Sequence, residues 1–206
     1  MKTIVVLIFL SFSIYLHAEN PDSTKAKIYQ NKSIILEAAH KFDINPVYLA
    51  SIIYVERSYN FSWTDIALDE LIAKRGFNSS VGFCQVKIKT AYWIETQITD
   101  SLSSFFPRKK YINSLKLSKS PDELFKKLSN DGLNIYYAAA YLRIMQSFWE
   151  KSGYSIDKKP GILGTLYSIG LFHNNGKPRK PHTNPMANWF GREVIKSIFL
   201  LKHVFE

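Results

Sequence analysis

Glu56 is the residue whose position in this chain asks for chemistry. It sits in the run SIIYVERSYN (Ser51 to Asn60), four residues after Ile52 and three after Ile53. On a helix it would share their apolar face. A carboxylate there must be paired, desolvated or at the rim of a cleft. Loss of hydration destabilises the charged form of a carboxylic acid and raises its pKa. An acid that stays protonated near neutral pH can donate its proton to a glycosidic oxygen. Spacing alone leaves a second reading open, in which Glu56 pairs with Arg57 or with a lysine of another helix. Helix geometry turns successive residues by about 100° around the axis, so Arg57 need not meet Glu56.

Other reactive side chains make weaker patterns. Cys84 is the single cysteine, which excludes an intramolecular disulfide and reads as a small buried hydrophobe. His173 and His182 lie in the loop HNNGKPRKPHTNP without carboxylates at ligand spacing, so neither a metal site nor a cofactor is expected. The KPRKP run around Arg179 either meets an anionic glycan or lipid headgroup or is a solvated loop. Tyr54, Tyr59 and Trp63 have the right chemistry to line a saccharide groove. Asp65, Asp69 and Glu70 read as a solvated helix face, so no second catalytic acid stands out.

These residues need helices to place them. Ile28, Ile35, Ala38, Ala39 and Phe42 form a helical stripe across Ser23 to Lys41. Asn45 can cap and Pro46 suits the first position of a helix that runs to about Ser58. A further helix is expected from Thr64 or Asp65 to about Lys74, ended by Gly76. NSSVGFCQVK (Asn78 to Lys87) reads as a turn and then a short extended stretch, followed by a short helix through Ala91 and Ile94. The polar, basic segment from Thr96 to Lys119 reads as a surface excursion. SPDE (Ser120 to Glu123) is a capping box that starts the next helix. The longest helix is expected over Asp131 to Lys151, with Leu133, Ile135, Ala138, Ala139, Leu142, Met145 and Trp149 inside. Ile162 to Phe172 reads as a buried helix, and a last helix runs through Val194, Ile195 and Ile198. The class is all-α, with at most one small hairpin near Ser80 to Val86.

The first 18 residues have a different logic. Lys2, the apolar run Ile4 to Leu16 and the small residue Ala18 have the layout of a cleaved signal peptide. The run is short for a membrane span, which needs about 20 apolar residues. The expected organisation is a signal peptide over 1–18 and one domain over 19–206, exported to the periplasm or cell surface. A net charge of +10 over the full sequence, on a protein expected to be exported, either favours an anionic cell-wall or membrane surface as its surroundings over nucleic acid or serves solubility alone.

Four segments in order, FDINPVYLASIIYVERS, SSVGFCQVK, LNIYYAAAYL and LYSIG, resemble the lytic transglycosylase branch of the lysozyme-like superfamily. The resemblance spans about Phe42 to Gly170. It implies a lysozyme-like helical domain that cleaves peptidoglycan glycan strands between N-acetylmuramic acid and N-acetylglucosamine, with one Glu as acid and then base. Glu56 matches the catalytic acid. Ser80, Gly82 and Gln85 match the family's turn, Asn134 and Tyr141 the long helix, and Tyr167 and Gly170 the last motif. From these the resemblance implies Ser80, Gln85, Asn134 and Tyr167 as substrate-binding residues and Gly82 as a place where the backbone lies close to sugar. Three positions depart from the pattern: Arg57 separates Glu56 from Ser58, Ser168 follows Tyr167 in place of Asn, and Cys84 precedes Gln85. They motivate an alternative, a lysozyme-like protein that binds glycan or a partner protein without cutting.

Overall fold

Capping residues decide where the helices begin. The computed structural model describes residues 19–60 and 78–206. The signal peptide expected over 1–18, the helix expected after Thr64, and Trp63 lie outside the described residues. Helix α1 (Pro21–Gln30) starts behind Asn20, whose side chain accepts the Asp22 N–H at 2.8 Å. The stripe expected to be one helix is broken at Asn31, whose amide donates to the Lys27 carbonyl at 2.9 Å, and α2 (Lys32–Lys41) follows. Ile28, Ile35, Ala38, Ala39 and Phe42 are buried across the break.

Helix α3 (Pro46–Val55) begins as its sequence requires. The Asn45 side chain accepts the N–H groups of Val47 and Tyr48 at 2.9 and 3.3 Å, and Pro46 takes the first position. Every residue from Leu49 to Val55 is buried. A helix apolar all round belongs inside the core. It does not run to Ser58 as an α-helix. At Glu56 it widens into a π-turn, Glu56–Asn60.

The Ser80 region forms the one small hairpin. Strand β1 (Ser80–Val81) pairs antiparallel with β2 (Val86–Lys87), Ser80 opposite Lys87 and Val81 opposite Val86. Helix α4 (Ile88–Thr99) follows. The next segment is no surface excursion, because Phe105, Phe106, Tyr111 and Leu115 are buried. Ser118 ties its end down, donating from backbone and hydroxyl to the buried Glu95 carboxylate at 2.7 and 2.8 Å. Arg108 forks onto both carboxylate oxygens of Glu150 at 2.9 Å, and the Tyr111 hydroxyl donates to Asp43 at 2.6 Å.

Helix α5 (Pro121–Ser129) opens with the Ser120 hydroxyl accepting the Glu123 N–H at 3.2 Å, while the Glu123 carboxylate accepts from Lys119 at 2.9 Å. Helix α6 (Asp131–Lys151) has the bounds its sequence suggests, and Ile135, Ala138, Leu142, Met145 and Trp149 face inward. Leu133, in its first turn, is 42 % exposed, contrary to expectation. Helix α7 (Pro160–Ile169) stops before Phe172, because Gly170 turns the chain at φ +75°. Helix α8 (Trp189–Phe205) buries Phe190, Val194, Ser197, Leu201 and Val204, and leaves Ile195 outside.

Helix α8 packs on both α3 and α7. The crossing with α7 depends on Gly191, where a Cβ would come within 2.0 Å of the Gly161 carbonyl oxygen. The crossing with α3 brings the Ser197 hydroxyl to the Ser51 carbonyl at 3.4 Å. One apolar core runs from Ile28 to Val204. The described residues are thus all-α with a single two-stranded hairpin. No helix among them is long and apolar enough to cross a membrane.

Candidate functional site

A groove of about 320 Å³ opens where the end of α3 meets the hairpin and the end of α7. Glu56, Ser80, Gln85 and Tyr167 all line it, joined by Lys87 and Tyr141. The groove therefore collects side chains from four separate stretches of sequence. Among the described residues, Glu56 is the single carboxylate lining it.

Glu56 takes its place from the π-turn. Its N–H reaches back to the carbonyls of Ile52 and Ile53, so the residue stays on the face those two define, and it is half-buried. A π-turn accommodates one residue more than an α-turn, and such turns occur often at functional sites. The extra turn width explains how Arg57 fits between Glu56 and Ser58. Arg57 itself is 4 % exposed. Its Nε donates to Glu19 at 2.6 Å and an Nη donates to the Phe83 carbonyl at 3.2 Å, with the guanidinium 4.7 Å from the Phe83 ring centre. Ser58 is buried and is not part of the groove lining.

Glu19 is the residue that sequence reasoning missed. It is 3 % exposed, accepts from both Lys27 and Arg57, and its backbone N–H meets the Arg57 carbonyl at 3.3 Å. Burial pushes its carboxyl pKa up, but the hydrogen bonds and charges of Lys27 and Arg57 outweigh burial and hold it below the ordinary carboxylate value. Arg57 thus ties three pieces together: the first described residue, the turn carrying Glu56, and the hairpin turn at Phe83. No local pattern announces a pair separated by 38 residues.

The hairpin turn is held from below by Asn134, and here the substrate-binding expectation is corrected. Asn134 is fully buried. Its Nδ2 donates to the Val81 and Leu128 carbonyls at 2.9 Å each, and its Oδ1 accepts the Cys84 N–H at 2.6 Å. An amide used in this way fixes the turn from inside and has no part in the groove lining. Gly82 is corrected likewise. A Cβ there would lie 2.2 Å from the Leu128 carbonyl oxygen and 2.5 Å from Asn134 Nδ2, at φ +75°. Its close approach is to the protein's own interior, not to a ligand.

Gln85 sits at φ +53°, a left-handed conformation uncommon for a residue with a side chain. Its backbone N–H and its Nε2 both reach the Gly82 carbonyl, at 3.2 and 2.9 Å. Tyr167 donates its hydroxyl to the Cys84 carbonyl at 2.6 Å. Burial pushes this hydroxyl pKa well up, and the nearby Cys84 and Glu56 add to it, so Tyr167 stays a neutral donor. Tyr141 is pushed up to about 12, by burial and against the pull of the Leu171 backbone N–H. Cys84 is fully buried, and burial pushes its thiol well up despite Arg57, which leaves it without nucleophilic character.

Lys87 and Tyr141 went unnoticed as lining residues. Lys87 follows from the hairpin register, since it stands opposite Ser80. Of the aromatic candidates, Tyr54 is buried, and Tyr59 leans edge-on against Trp189 with ring centres 5.2 Å apart. Neither is in the groove lining. His173 and His182 line a separate cavity beyond the end of α7. Among the described residues no group of three or more His, Cys, Asp or Glu side chains is placed to hold a metal ion.

The groove thus gathers one acid, one cation, amide and hydroxyl groups, and two tyrosine rings. Compared with models of known families, the chain matches none, and no characterised protein shows significant similarity to it.

Proposed function

We propose that this protein is an exported lytic transglycosylase-like enzyme that cleaves peptidoglycan glycan strands, with Glu56 as its acid and base. The observation that carries the reading is the meeting of Glu56, Ser80, Gln85 and Tyr167 in one groove, from motifs far apart in sequence. Glu56 donates its proton to the oxygen linking N-acetylmuramic acid to N-acetylglucosamine, and that bond breaks. The Glu56 carboxylate then takes the proton of the muramyl 6-hydroxyl as this oxygen bonds to C1. A 1,6-anhydro sugar results and Glu56 is again protonated. Glycosidases that use water work with two carboxylates, about 5 Å or about 6.5–9.5 Å apart. The single carboxylate among the described lining residues suits the route that needs one.

Purified peptidoglycan incubated with the protein should release 1,6-anhydromuramyl products, and Glu56→Gln should release none while keeping its helical circular dichroism. Reducing-end products in place of anhydro ends would convert the reading to a hydrolase. Equal turnover by Glu56→Gln would remove Glu56 from the chemistry. A second reading, glycan binding without cleavage, draws on Tyr167 and Gln85, whose groups are engaged by the Cys84 and Gly82 carbonyls. Retained wall binding with no products from the unsubstituted protein would select it.

A further inference from the structure

A second and larger cavity, about 970 Å³, lies beside the groove. Its floor is apolar: Ile162, Leu166 and Ile169 of α7 and Trp149 of α6. Its wall is the loop between α7 and α8, which contributes the cations Lys177, Arg179 and Lys180. Among the described residues no Asp or Glu lines it. No ion pair among the described residues engages any of the three cations.

The loop is built, not loose. The Arg179 backbone N–H donates to the Leu171 carbonyl at 2.8 Å, and its Nε donates to the Gly170 carbonyl at 3.1 Å. The guanidinium also lies 3.2 Å from His173 Nδ1. The His173 N–H closes the turn on the Lys177 carbonyl at 2.9 Å. Arg179 is thereby held at Gly170, a residue of the groove, and Ile169 lines both spaces.

From this adjacency we infer that the cavity is a subsite for the acidic peptide stem of the muramyl residue bound in the groove. The inference rests on the glycan-cleaving reading above. A stem peptide leaves the sugar beside the scissile bond, carries free carboxylates, and presents small apolar side chains. The cavity offers cations for the first and an apolar floor for the second. A phosphate polymer would use the cations and leave the floor without a partner.

The test uses Glu56→Gln, which holds strands without cutting them, with and without the added pair Lys177→Gln and Lys180→Gln. Both lysines are exposed, whereas Arg179 shapes the loop and is left in place. The probes are soluble glycan strands bearing stems and the same strands stripped of peptide by an amidase. At low salt the stem-bearing strand should bind roughly tenfold more tightly, the gain of two exposed charge pairs, and added salt should shrink the difference. The lysine variant should lose the difference and bind stripped strands as before.

Equal affinity for the two strands, or a preference that survives in the lysine variant, overturns the subsite. So does a glycerol-phosphate oligomer that displaces stem-bearing strands better than a free acidic peptide does. If stripped strands bind and are cut by the unsubstituted protein while stems add nothing, the subsite alone falls. If neither strand binds, the glycan reading falls and takes the subsite with it.

Discussion

Replacing Glu19 tests how the turn that carries Glu56 is held. The Glu19 and Arg57 side chains are 2 % and 5 % exposed, with Nε and the carboxylate 2.6 Å apart. Removing one member of a buried ion pair leaves the other charge desolvated and costs about 3–5 kcal/mol. Gln at position 19 keeps an acceptor for Arg57, so Glu19→Gln belongs at the lower end, about 3 kcal/mol. Arg57→Met also forfeits the bond to the Phe83 carbonyl and belongs at the upper end. A domain of this size loses about 2–4 °C of Tm per kcal/mol, so Glu19→Gln should melt roughly 6–12 °C earlier by circular dichroism. The double variant should lose clearly less than the sum of the singles, with a coupling of about 2 kcal/mol. The effect has a pH signature. Glu19's folded-state pKa lies below its unfolded value, so its charge stabilises the fold fully above the unfolded carboxylate pKa of about 4.3. That contribution is lost as pH falls through the lower, folded value. The gap between the native protein and Glu19→Gln should therefore be constant from neutrality down to about pH 5 and close below about pH 4. A Glu19→Gln melt within about 1 °C of the native protein, or additive singles, would refute the claim that this pair holds the turn.

Two further outcomes follow from the hairpin. Asn134→Ala removes three buried hydrogen bonds and strands the Cys84 N–H and the Val81 and Leu128 carbonyls; urea unfolding should show a loss of about 3 kcal/mol or more, and an unchanged midpoint would contradict the pinning role. Cys84, buried with its thiol pKa pushed well up, should stay unmodified by an aromatic disulfide reagent at pH 8 until denaturant is added; prompt reaction in the folded state would place it at the surface.

Much of this architecture was legible because its signals are local. Asn45 with Pro46 and Ser120 with Glu123 start helices through bonds spanning two or three residues, and the length of α6 could be read from its spacing. The groove was legible in part, since four separated motifs pointed to residues of which Glu56, Ser80, Gln85 and Tyr167 line one space. What escaped depends on distant partners. Asn134 has the composition of a ligand-binding amide, and only the fold shows its three bonds consumed by the backbone. Phe105 and Tyr111 are apolar residues without a period, so nothing in their spacing marked them as core.

The packing of α8 on α3 has a temporal side. The helix that leads into Glu56 is covered on one side by a segment made long after it, with Ser51 and Ser197 in contact across 146 positions. The face that α8 covers stays open until that helix exists, because long-range contacts form only after their second half has been made. A polypeptide that stops short of Trp189 lacks the lid on its own acid-bearing helix. The helix behind the groove is therefore closed over only once Trp189–Phe205 has been made, and a fragment released before then would leave that apolar face exposed.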